Sequence, residues 1–262
     1  MRTLAAGLAT VLALGACGPV PESSGTVTLP QAGATFDYQL GGAYPPPAGV
    51  AVVVRDSSAD PPDDGYAICY VNAFQTQPGE RGVDDLVLRE EGAPVTDPAW
   101  PDEAVLDLTT ADARRRVVAR ARTLVEACAG RGYDAVELDN LDVATRSRGA
   151  FTLAEATAVA TDVVAHAHAL GLAAARKNTP ELGAGGRDDV GFDLAIAEQC
   201  DRWDECAAYT DVYDVVLDVE YAHDLRGTAD DVCARAVDGP TTIVRDLDLV
   251  PAGGPGYVLV TC

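Results

Sequence analysis

Five short apolar stretches of this 262-residue chain end in polar side chains able to do chemistry. Asn72 closes residues 67–72, Asp139-Asn140 follow 135–138, and Lys177-Asn178 follow 172–176. Glu198-Gln199 follow 192–197, and Glu220-Tyr221 end the stretch beginning at residue 215. In an extended strand side chains alternate between faces, so Glu137 shares a face with Asp139. Two carboxylates around one cleft can divide acid and base work. One stays protonated to donate to a leaving oxygen and the other acts as nucleophile or base, as glycosidic-bond hydrolysis requires. Crowding of like charges separates their pKa values. Lys177, the only lysine among 19 basic residues, could hold a carboxylate ionised or bind a hydroxyl. Glu137 and Glu220 suit substrate binding or pKa tuning; Asn72, Asn178 and Tyr221, with Asp37 and Gln39, could hydrogen-bond sugar hydroxyls. The structural alternatives are a helix N-cap at Asp139 and a salt bridge at Glu198. Metal-dependent hydrolases also cluster acids, but the strand ends lack histidine and no Cys-x-x-Cys pair occurs, so neither metal nor cofactor is expected.

The elements that must position these groups alternate in type. Strand-like segments fall at residues 36–40, 50–54, 67–72, 105–108, 135–138, 172–176, 192–197, 215–220 and 241–244. Helical patterns cover 110–129, a segment opened by the capping box Thr152/Glu155 and running to about residue 170, and one capped by Thr228 and running through Ala236. About eight strands interleaved with helices predict an α/β fold, a single (β/α)8 TIM-type barrel over residues 35–262. Its active site would lie at the C-terminal strand ends. A doubly wound sheet is the alternative, but no Gly-x-Gly-x-x-Gly follows the first strand.

Composition sets the surroundings. With 48% hydrophobic and 23% charged residues the chain is globular. Its net charge of −22 repels phosphate backbones, which excludes nucleic acid and favours cationic partners, although compositional bias alone could produce it. Arg2 and the apolar run 4–16 are too short to span a bilayer but fit a secretory signal. Leu14-Gly15-Ala16-Cys17 resembles the bacterial lipobox. The expectation is therefore a signal peptide over 1–16, lipidation at Cys17, a Gly/Pro/Ser-rich tether over 17–34, and a lipoprotein on the bacterial cell surface that meets the membrane only through its anchor. Six cysteines remain, enough for three disulfides in fifteen possible pairings. Cys200 and Cys206 are close in sequence; Cys233 with Cys262 would tie down the C-terminus, leaving Cys69 with Cys128.

Taken in order, Phe36-Asp37-Tyr38-Gln39-Leu40, Cys69-Tyr70-Val71-Asn72, Val136-Glu137-Leu138-Asp139-Asn140, Lys177-Asn178, Phe192-Asp193, Glu198-Gln199-Cys200 with Glu205-Cys206, and Val219-Glu220-Tyr221 resemble glycoside hydrolase family 114, the endo-α-1,4-polygalactosaminidases. The resemblance runs from about residue 34 to the end. It implies a metal-free (β/α)8 barrel that cleaves α-1,4-linked galactosamine polymers with Asp139 and Glu198 as catalytic acids; the chain is expected to act as a monomer. Tyr70 and Asn140 join the substrate-binding candidates on the same motifs. A partly deacetylated, cationic polymer would suit the acidic chain. The family often carries Trp in the first motif, where this chain has Phe36 and Tyr38, and an aromatic and a basic residue after Asn72, where it has Phe74, Glu80 and Arg81. A carboxylate separation of roughly 5 Å would predict retention of configuration, and about 6.5–9.5 Å inversion. The alternative from another class is a non-catalytic carbohydrate-binding lipoprotein on the same barrel.

Overall fold

The computed structural model describes residues 27–262; the expected signal peptide, Cys17 and the first part of the tether lie outside the described residues. The strands are β1 (Phe36–Gln39), β2 (Val52–Asp56), β3 (Tyr66–Asn72), β4 (Arg89–Glu90), β5 (Ala93–Pro94), β6 (Ala135–Asp139), β7 (Ala173–Lys177), β8 (Leu194–Glu198), β9 (Val216–Tyr221), β10 (Thr241–Arg245) and β11 (Leu259–Thr261). The helices are α1 (Ala111–Arg131), α2 (Leu153–Ala169), α3 (Cys200–Trp203), α4 (Ala207–Thr210) and α5 (Ala229–Ala236).

The main sheet runs β1-β2-β3-β6-β7-β8-β9-β10-β11, parallel throughout except for β11, which lies antiparallel on β10. It curls into a nearly closed barrel. Across the seam, Arg245 of β10 pairs with Asp37 of β1 at 3.1 Å and donates to the Tyr38 carbonyl. Strand alternation divides the core in two. Phe36, Val54, Ile68, Ala175, Ile196, Leu217 and Ile243 fill the barrel interior. Val71, Val136, Leu138, Ala174 and Ala195 face outward and pack with Val117, Ala121 and Val125 of α1 and Val159, Val163 and Val164 of α2. Strands buried on both faces need apolar residues at almost every position, which is why these segments read as continuous runs.

The helix boundaries follow local chemistry. Thr110 caps α1 by accepting from Ala113 N, and Gly132, at φ 88°, ends it in a left-handed turn that lets its N–H reach the last carbonyls. Capping boxes at Thr152/Glu155 and Thr228/Asp231 open α2 and α5.

Two expectations are corrected. Residues 105–108 are not a barrel strand. Val105 and Leu106 are antiparallel bridge partners of Gln75 and Val87, within an excursion between β3 and α1 that also carries the β4–β5 hairpin. A four-residue apolar run fits such a buried bridge as well as a strand, and periodicity cannot separate them. The helices are also not interleaved throughout: only turns join β1 to β2 and β2 to β3 among the described residues, and a 3-10 turn (Pro180–Leu182) and a π turn (Gly186–Val190) join β7 to β8. Strand β11 and the hairpin were not anticipated.

The six cysteines pair as Cys69–Cys128, Cys200–Cys206 and Cys233–Cys262. The first ties β3 to α1, the second closes the α3–α4 turn, and the third ties α5 to the residue after β11. Cross-linking residues 29 apart restricts the unfolded chain, so Cys233→Ser with Cys262→Ser should cost about 3 kcal/mol in urea unfolding. An unchanged midpoint would show that pairing with β10 holds β11 in place without the bridge.

Candidate active site

The strand ends converge because alternate residues of a curled parallel sheet point to one axis. The inward set here is Tyr38 of β1, Tyr70 of β3, Glu137 and Asp139 of β6, Lys177 of β7, Glu198 of β8 and Tyr221 of β9. Register places Tyr70 beside Glu137 and Asn72 beside Asp139, and Lys177 joins the polar ends of β6 and β8 across β7. Above them opens a cleft of about 480 Å³, lined by Asp139, Lys177, Glu198, Tyr70 and Tyr221 at its floor and by Trp100, Glu103 and Leu247 higher up.

Lys177 is the hub. Only 2% exposed, its Nζ lies 3.0 Å from Glu137 Oε1, 3.5 Å from Asp139 Oδ1 and 3.3 Å from Glu198 Oε2. Burial opposes the ammonium charge, but Asp139, Glu137 and Glu198 together outweigh it and hold the lysine pKa well above its ordinary value. Each carboxylate also takes a tyrosine hydroxyl. Tyr38 donates to Glu137 (2.8 Å), Tyr70 to Asp139 (2.7 Å) and Tyr221 to Glu198. Burial first, and these neighbouring carboxylates second, push all three phenols upward, so they remain donors. Lys177 Nζ in turn donates to the Tyr38 oxygen at 2.9 Å.

The residue after each of the three rim groups Asp139, Lys177 and Glu198 turns left-handed: Asn140 at φ 64°, Asn178 at 44° and Gln199 at 60°. Side chains with a Cβ rarely adopt this conformation, and it persists only where surrounding structure over-determines it. Here it folds the amides of Asn140 and Asn178 back onto the site. Asn178 accepts from Glu198 N (2.7 Å) and donates to Glu198 Oε2 (3.2 Å). Asn140 N donates to Asp139 Oδ1 (2.8 Å), and the Asn140 amide donates to Asn72 Oδ1 (2.9 Å).

Glu137 is fully buried beneath this layer. Burial pushes its carboxyl up to about 7, with Asp139 adding and Lys177 opposing. Its Oε2 has no partner among the described residues, which adds to the cost of ionising it. A carboxyl raised on folding binds its proton more tightly in the native state. Its stabilising contribution is therefore complete below the unfolded pKa and is lost as pH rises toward about 7. Glu137→Gln should remove a decline of up to about 1.4 kcal/mol per pH unit between pH 5 and 7. Parallel pH–stability curves for the two proteins would refute that assignment.

Of the expected site residues, Tyr70, Asp139, Asn140, Lys177, Asn178, Glu198 and Tyr221 line the cleft. Glu137 lies beneath it, and Asn72, 1% exposed, braces its wall. Asp37, Gln39 and Glu220 are not brought there. Asp37 and Gln39 face out of β1, where Asp37 meets Arg245 and Tyr44 and Gln39 meets Arg55. Neighbouring residues of a strand cannot both face the axis, so with Tyr38 and Tyr221 inside, Gln39 and Glu220 are outside. Glu220 accepts from Asp201 N (2.9 Å), and Asp218 from Cys200 N (3.2 Å), clamping the α3 turn that follows Glu198. Cys200, Cys206 and Asp218 group ligand-type atoms, but the two sulfurs are bonded to each other.

The residues missed are Tyr38, whose inward position the alternation in β1 could have revealed, and the wall formed by Asp97, Trp100, Glu103 and Arg146, for which no sequence signal existed. Arg146 is held by Asp97 (3.0 Å) and Asp142 (2.6 Å), so it leaves the cleft acidic.

A nearly closed parallel barrel with two carboxylates at its C-terminal rim is the arrangement that barrel glycoside hydrolases use. The model of glycoside-hydrolase family GH114 matches residues 18–262, and the chain belongs to that family. Among solved structures it is similar to Aspergillus fumigatus Ega3 in complex with galactosamine, at 19% identity and TM-score 0.69, covering 91% of this chain and 100% of that one. It is also similar to the glycoside hydrolase domain of Pseudomonas aeruginosa PelA, at 17% identity and TM-score 0.54, covering 87% and 98%. No curated protein sequence matches the chain.

Proposed function

We propose that this glycoside hydrolase cleaves α-1,4-linked, galactosamine-containing polysaccharide within the chain, using Asp139 and Glu198 as its acid/base pair. The observation that carries the reading is the placement of both carboxylates on one buried ammonium, at the floor of an otherwise acidic cleft. In this mechanism one of the pair donates a proton to the glycosidic oxygen as the bond to the anomeric carbon breaks. The other stabilises the developing positive charge, as nucleophile or through an activated water. Lys177 and the tyrosine hydroxyls keep both side chains in fixed rotamers facing the bond. The acidic walls favour a polymer bearing ammonium groups. The likeness to Ega3, which was solved with galactosamine, supports that substrate class.

The experiment is reducing-end release from partly deacetylated α-1,4-linked galactosamine polymer by protein beginning after the tether. Turnover supports the reading. No turnover, with the polymer still bound by folded protein, would move the reading to a carbohydrate-binding lipoprotein. The cellular location in this proposal is the outer surface of a bacterium, with a lipid on Cys17; Arg2, the apolar run and the lipobox-like residues support it. Cys17→Ser should move the protein from the membrane to the soluble fraction, and retention in the membrane would refute the anchor.

A further inference from the structure

The loop between β3 and α1 folds back over the barrel mouth, and one turn of it, residues 97–103, lines the cleft with Asp97, Ala99, Trp100 and Glu103. Its backbone is closed by Asp97 N to the Glu103 carbonyl (3.0 Å) and Glu103 N to the Trp100 carbonyl (2.9 Å). The Asp97 carboxylate accepts from Ala99 N (2.8 Å) and from Gln75 (3.0 Å) and pairs with Arg146. The turn is therefore a fixed platform. Trp100 leaves half its surface exposed at the cleft wall, although a large apolar side chain gains most by burial. Glu103 accepts from the Asn72 amide through Oε2 (2.9 Å). Its Oε1 accepts no hydrogen bond among the described residues. No described cation forms an ion pair with it: Arg146, whose charge acts on Glu103 only through space, is engaged by Asp97 and Asp142, and Lys177 by the floor carboxylates.

We propose that the turn of residues 97–103 is an amino-sugar subsite, in which Trp100 stacks on a sugar face and Glu103 receives that sugar's ammonium group. The inference rests on the glycosidase reading and adds the residues that select a free amine over an acetamide. Sugar rings offer an apolar face of C–H bonds that an indole covers without losing hydrogen bonds. A carboxylate oxygen pointing beside that face discriminates by charge: an ammonium forms a charge-assisted hydrogen bond with it, whereas an acetamide brings no charge and adds bulk. Burial pushes the Glu103 carboxyl up to about 7, with Asp139 adding to the push and the Asn72 hydrogen bond opposing it. An arriving cation would return Glu103 to its charged form.

The test compares wild type with Glu103→Gln and Trp100→Ala on deacetylated and fully N-acetylated α-1,4-galactosamine oligosaccharides, measuring kcat/KM and, separately, calorimetric binding. Glu103→Gln should lower kcat/KM for the deacetylated substrate about 10- to 100-fold, mainly through KM, and change the acetylated one less than about 3-fold. Trp100→Ala should weaken both substrates alike. An unchanged ratio between the two substrates in Glu103→Gln would overturn the assignment, whatever the absolute rates. If wild type hydrolyses neither, the glycosidase reading fails while binding still tests the subsite. Weaker binding of the deacetylated oligosaccharide in Glu103→Gln would then support it. Equal binding by both proteins, or none, would overturn it.

Discussion

Glu198→Gln and Asp139→Asn are each expected to lower kcat on the galactosamine polymer by about 10³-fold or more while leaving the fold intact. General acid–base catalysis contributes roughly 10²–10⁴-fold, and loss of a carboxylate that also stabilises an oxocarbenium-like transition state adds to that. Both substitutions preserve shape. Around Glu198, Asn178 and Lys177 donate to one oxygen and Tyr221 to the other; a glutamine oxygen can still accept from the first two while its NH2 donates to the Tyr221 hydroxyl, which can also accept. In Asp139→Asn the amide oxygen can likewise accept from the Asn140 N–H while the NH2 donates to the Tyr70 hydroxyl. Thermal unfolding should therefore move little. Reducing-end assays on folded variants decide the matter, and a variant that still turns over at the wild-type rate removes its residue from the chemistry.

Lys177→Met carries the largest expected stability effect. It leaves Glu137, fully buried, with only the Tyr38 hydroxyl beside it. Removing one partner of a buried ion pair costs about 3–5 kcal/mol, because the remaining charge must stay unpaired or take up a proton. Activity should fall by at least about 10²-fold, since Asp139 and Glu198 lose the cation that holds them. The double variant Lys177→Met with Glu137→Gln separates the two effects. It should recover most of the lost stability, because no unpaired charge is left at residue 137, and little of the activity. If activity returned with stability, Lys177 would be a core residue alone.

Much of the barrel was legible because its strands and caps are local. Residues 67–71 are largely apolar on both faces, and 135–138 are so except for Glu137, so each reads as a buried parallel strand, and the Thr152/Glu155 and Thr228/Asp231 pairs mark helix starts within four residues of sequence. The pairing of Glu137 with Asp139 followed from alternation alone. The same rule, left unapplied at β1 and β9, would have separated Tyr38 from Asp37 and Tyr221 from Glu220. Residues 105–108 misled because a short buried bridge and a short strand bury the same apolar side chains. Glu103 and Trp100 carried no signal at all: they lie in an irregular loop whose path depends on what it covers.

By itself the sequence determined the eight parallel barrel strands, where α1, α2 and α5 begin, and which strand ends are polar, since each depends on residues within a turn or two of one another. Only the tertiary structure decided that the carboxylates of β6 and β8 meet on the lysine of β7. Strand register and sheet curvature set those distances, and both are settled by packing across the whole barrel. It also decided that Asp37 and Arg245, 208 residues apart, seal the seam outside the cleft. The loop carrying Glu103 reaches the mouth for the same reason: its place is fixed by the surface beneath it, which exists only once the sheet has curled.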